Sequence, residues 1–98
     1  MPKLICKEIW FYSHGDEASF FHFAEGIKGV RKIGGVRDET HIHISAKLSD
    51  KALRDILALF LRYKINMRQL RQFETAKNRV WFRDPKKYWH KKVYGTMH

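Results

Sequence analysis

Thr40-His41-Ile42-His43-Ile44-Ser45-Ala46-Lys47 alternates apolar and polar side chains without a break, and the residues that follow change period. Ile42, Ile44 and Ala46 fall on one face of this stretch and His41, His43, Ser45 and Lys47 on the other, the pattern of a half-buried antiparallel strand. From Ser49 onward, Leu53, Ile56, Leu57, Phe60 and Leu61 recur at i, i+3, i+4, i+7 and i+8, which is the inner stripe of an amphipathic helix. Ser49 supplies its N-cap and Asn66 a stop, so the helix is expected over 50–65. A strand running into a helix anchors the reading of the rest.

On the N-terminal side, Val30 to Val36 reads as a second strand, with Gly34-Gly35 marking a tight turn or a bulge before Asp38-Glu39. Ser13 and Asp16 form a capping box ahead of Phe20, Phe23 or Ala24, and Ile27, which predicts a helix over 16–27 ended at Gly26 or Gly29. Leu4 to Tyr12, rich in β-branched and aromatic residues, reads as a buried strand. On the C-terminal side, Met67 to Phe73 satisfies both a helical and a strand period, and the choice stays open. Arg79 to Arg83 predicts a short strand. Asp84 as N-cap, Pro85 at the first helical position and Gly95 as stop predict a terminal helix over 85–94.

The resulting order is β-α-β-β-α-β with a C-terminal helical extension, an α+β chain in which two helices cover one face of an antiparallel sheet. Over about three quarters of the chain this order resembles the ferredoxin-like plait, a two-layer plan that hosts many unrelated activities. Ninety-eight residues make one domain over 1–98. Cys6 is the only cysteine, which excludes a disulfide scaffold and leaves a buried thiol as the expectation. No run reaches the length of a membrane span, and Met1-Pro2-Lys3 does not open a signal peptide, so no membrane and a cytoplasmic location are expected.

Charge is the feature that bears on function. Residues 1–60 carry nine Lys/Arg against eight Asp/Glu, a net of +1, whereas residues 61–98 carry eleven against two, a net of +9. Within this basic, aromatic-rich part (67–98, against the near-neutral 1–66), Arg68, Arg71, Lys77, Arg79, Arg83, Lys86, Lys87, Lys91 and Lys92 are the expected phosphate contacts. Trp81 and Trp89 are the expected stacking surfaces, although Trp89 and Val93, one turn apart, equally suit docking of the terminal helix. The leading expectation is therefore a small basic protein that binds nucleic acid, RNA or single-stranded DNA.

A second expectation is a protein-binding inhibitor, such as a toxin-immunity protein, an antitoxin or a phage-encoded inhibitor, whose basic patch covers an acidic protein surface. His41-x-His43 places two imidazoles on one strand face. A metal site would need a further ligand from His14, His22, Asp38 or Glu39, so no metal is expected. A third expectation uses His41 and His43, with Arg37, as a metal-independent ribonuclease. Paired carboxylates, a nucleophile motif and a phosphate loop are all missing, so no cofactor is expected and binding is favoured over catalysis.

Overall fold

The computed structural model describes residues 2–95; Met1 and residues 96–98 of the expected 1–98 domain lie outside the described residues. The elements are β1 (Lys3–Lys7), α1 (His14–Gly26), β2 (Val30–Val36), β3 (Glu39–Ile44), α2 (Asp50–Arg62), a 3-10 helix (Met67–Phe73), α3 (Arg79–Phe82) and α4 (His90–Tyr94). Three antiparallel strands form one sheet in the order β1-β3-β2. The chain is thus a small α+β domain, with three strands among the described residues where the sequence predicted four.

β3 is central because its alternation serves both neighbours. Leu4 pairs with Ile42, and Ile42 pairs with Ile33, so Leu4, Cys6, Ile42 and Ile44 enter the core from one sheet face. Lys3, Ile5, Lys7, His41 and His43 occupy the other face. α2 lays Leu53, Ile56, Leu57 and Phe60 onto the core, as its period predicts, but Leu61 stays 36% exposed. α1 contributes Phe20 and Ala24. Both helices start on serine caps: Ser13 Oγ accepts from Asp16 N–H and Ser49 Oγ from Ala52 N–H, each at 3.1 Å. Asp16 turns its carboxylate to Tyr12 N–H (3.0 Å) rather than closing the box on Ser13.

Several boundaries depart from the sequence reading. β1 ends at Lys7, not Tyr12: Glu8 adopts φ 49° and the chain leaves the sheet, so that the Phe11 ring packs against Phe20 (5.6 Å) and Tyr63 (6.0 Å). Gly34 and Gly35 lie inside β2, opposite His41 and Thr40; the register shift falls between Val30 and Lys32, and the hairpin turns at Arg37-Asp38 with Arg37 at φ 60°. α2 ends at Arg62 in a paired closure, with Lys64 N–H bonded to the Leu61 carbonyl (3.3 Å) and Ile65 N–H to that of Phe60 (2.9 Å). Lys64 takes the left-handed position of this closure at φ 57°, where glycine is usual. Asn66 is not the stop of α2. It caps the next element, its Oδ1 accepting from Arg68 N–H at 3.0 Å.

The 3-10 helix resolves the ambiguity of 67–73 by putting Met67, Leu70 and Phe73 into the core. Gln69, on its other side, meets the outer edge of β1. Ile5 N–H donates to Gln69 Oε1 and Gln69 Nε2 donates to the Ile5 carbonyl, both at 2.9 Å. One carboxamide thereby does for Ile5 what a fourth strand would do.

Arg79 to Arg83 is accordingly not a strand; residues 79–82 are a helical turn, α3. Buried Asn78 fixes the turn before it: Nδ2 donates to the Phe73 carbonyl (2.9 Å), Oδ1 accepts from Thr75 N–H (2.8 Å), and Asn78 N–H donates to Thr75 Oγ1 (3.1 Å). The terminal helix is also shorter than the predicted 85–94. Asp84 opens a turn, its carbonyl accepting from Lys87 N–H (3.0 Å), and the α-helix proper begins at His90. The turn lets Trp89 enter the core.

Candidate functional site: a basic groove

A groove of about 810 Å³ runs beside the outer edge of β1, lined by Ile5 and Lys7 from the strand, Phe60 and Leu61 from α2, residues 64–69, and Lys91 and Lys92 from α4. Five of its side chains are cationic, Lys7, Lys64, Arg68, Lys91 and Lys92, and none is acidic. Lys7 has a distant carboxylate neighbour, Glu39 at 4.0 Å. Among the described residues, no carboxylate lies within ion-pair distance of the other four. Each cation has a distinct structural reason to be there. Lys7 alternates outward from Cys6, Lys64 is thrust out by the left-handed closure of α2, and Arg68 follows the Asn66 cap. Lys91 and Lys92 arrive because α4 is fastened to the 3-10 helix by Arg71, whose Nε donates to the Val93 carbonyl. Like charges converging without a counter-charge give a site whose potential favours an anion.

Of the residues singled out from sequence, the structure thus brings together Arg68, Lys91 and Lys92 and adds Lys7 and Lys64. Arg71 is spent on the α4 junction. Arg79 and Arg83 both pair with Glu74, at 2.9 and 3.1 Å, and Tyr94 donates its hydroxyl to the same carboxylate at 2.7 Å. These contacts, the Tyr94 hydrogen bond foremost, hold the Glu74 carboxyl below the usual carboxylate range. Lys77, Lys86 and Lys87 are exposed but do not line the groove.

Trp89 corrects the expectation of a stacking surface. It is 5% exposed, and its indole N–H donates to the Phe82 carbonyl at 2.7 Å, which makes it a core anchor. Trp81 is half-buried, packed against Phe82 at 5.8 Å and edge-on to Trp89 at 5.9 Å, with the guanidinium of exposed Arg54 4.3 Å above its ring, so its ring is already engaged within the domain.

His41 and His43 share the open sheet face. The His41 ring is 12% exposed, with Nε2 2.9 Å from Glu39 Oε1, a contact that lowers the Glu39 pKa more than any other. No group of three or more His, Cys, Asp or Glu among the described residues is placed to hold a metal ion. Burial pushes the Cys6 thiol up to about 12. No helix among the described residues is long and apolar enough to cross a membrane. No family model matches the chain, and comparison with curated proteins and with solved structures found no match.

Proposed function

We propose that the protein binds nucleic acid, its phosphates lying along the groove between β1, the end of α2 and α4. One observation carries this reading: five cations from four separate segments converge on one open groove that contains no acid. A polyphosphate chain gains from several such contacts at once, because each neutralised phosphate releases condensed counterions. The groove's open lining, with cations from several segments, suits a strand better than a single small anion. Part of its surface is apolar, from Ile5, Leu61 and Ile65, which suits sugar and base edges between the charges.

The test is the salt dependence of oligonucleotide binding. With at most five phosphate contacts, the slope of log K against log salt for a single strand should be no steeper than roughly −3.5, at about −0.7 per contact. Changing Lys64, Arg68, Lys91 and Lys92 to Gln should abolish most of that slope. Changing Lys77, Lys86 and Lys87 to Gln, which removes three charges outside the groove, should leave most of it. Salt-insensitive binding, or equal effects of the two variants, overturns the assignment.

We also read the domain as a ferredoxin-like plait whose last strand has been replaced. The support is the insertion of β3 between β1 and β2, with the Gln69 carboxamide at the edge where the fourth strand of that plan would pair.

A further inference from the structure

We infer that Trp10 and Tyr12 form a stacking platform for the unpaired bases of a single strand, which makes the ligand single-stranded rather than duplex. The inference rests on the nucleic-acid reading of the groove and adds a second point of contact to it.

Trp10 is 70% and Tyr12 83% exposed, an unusual display for large rings in so small a domain. The backbone that carries them is nonetheless held in place. Phe11, between them, is inserted against Phe20 and Tyr63, and Tyr12 N–H is bonded to the Asp16 carboxylate (3.0 Å). The two outer rings meet edge-on at 6.1 Å, leaving faces open. A second hollow, of about 460 Å³, adjoins them, lined by Ile9, Trp10, Phe11, Ser13, His14 and Glu17. Rings carried on a backbone fixed in advance lose less freedom on binding than rings on a loose loop, so contact with a ligand yields more of its interaction as affinity.

The position matters as much as the exposure. Trp10 follows the groove residue Lys7 by three residues, a span of roughly 10 Å at most. Phe11 touches Tyr63, the immediate neighbour of the groove residue Lys64. Platform and groove are therefore reached by one short oligomer, within the roughly 4–16 nucleotides that compact single-strand binders cover. Glu17 on the platform side repels phosphate, which leaves base faces as the chemistry suited to these rings. A duplex hides those faces within its stack; a single strand presents them.

The experiment compares binding of an oligothymidylate of roughly 12 nucleotides with that of an abasic oligomer of equal length, followed by anisotropy at one salt concentration. Wild type should prefer the base-bearing oligomer. The W10A/Y12A double variant should lose about tenfold or more on it, while its binding to the abasic oligomer and its salt slope stay unchanged. The W10L/Y12L variant keeps apolar bulk without a π-face and should lose a similar factor; the W10F/Y12F variant should recover most of it. Equal wild-type affinity for the two oligomers, or undiminished oligothymidylate binding by the alanine and leucine variants, overturns the platform while the groove stands. Failure of wild type to bind either oligomer overturns the groove, and the platform with it.

Discussion

Lys64 occupies backbone space that costs a side-chain-bearing residue about 1–2 kcal/mol relative to glycine. Lys64→Gly should therefore raise stability, by up to about 1 kcal/mol once the larger unfolded-state entropy of glycine is subtracted. The same change should weaken oligonucleotide binding, because it deletes a groove cation. Urea denaturation and binding measured on one preparation would show the opposite signs; a parallel loss of both would mean that Lys64 serves the fold. Trp89→Ala should cost about 3–5 kcal/mol, the range for emptying a large aromatic site, with binding lost only through unfolding. Residue roles of this kind were only partly legible in the sequence. Arg68, Lys91 and Lys92 stood out by charge, but one-dimensional reading gives an aromatic beside lysines two readings, anchor and platform. Trp10 and Tyr12 were hidden for the converse reason: their β-propensity extended β1 on paper past Glu8, where the real backbone turns out of the sheet.

At the scale of elements, the Gln69 carboxamide is a polar join between the N- and C-terminal parts of the chain. Gln69→Ala should cost about 1–3 kcal/mol, since the Ile5 N–H and carbonyl lose partners at a half-buried edge. Gln69→Glu should cost at least as much, because a carboxylate keeps the acceptor but sets its second oxygen against the Ile5 carbonyl. Hydrogen exchange at the Ile5 amide reports this directly: faster exchange is expected in both variants, and an unchanged rate would mean that the contact contributes nothing. Elements with a strong single period were readable in advance, α2 and β3 above all. The C-terminal elements were not, because no local signal says that a distant side chain will bond a strand's edge. Gln69 bonds the β1 edge at Ile5, and residues 79–82 close a helical turn after the Asn78 contacts instead of pairing there.

Over the whole molecule, Glu74 gathers Arg79, Arg83 and Tyr94 into the packing of the C-terminal elements. Its folded-state pKa is depressed, so its contribution is complete above the ordinary glutamate range and is lost as pH falls through the folded value. Stability should therefore decline on acidification below about pH 4.5, and Glu74→Gln should flatten that decline while lowering stability at neutral pH. A wild-type pH profile unchanged by the substitution would remove Glu74 from this role. The Gln69 contact also has a consequence in time. Ile5 and Gln69 are 64 residues apart, and synthesis at roughly 5–20 residues per second separates them by about 3–13 s. Throughout that interval the outer edge of β1 has no Gln69 partner, and the nascent chain carries an open pairing edge on its first strand. A pause in translation after β1 has left the ribosome and before Gln69 follows it prolongs the period in which two growing chains can join there, so aggregation in the cell should depend on elongation rate as well as on the stability of the finished fold.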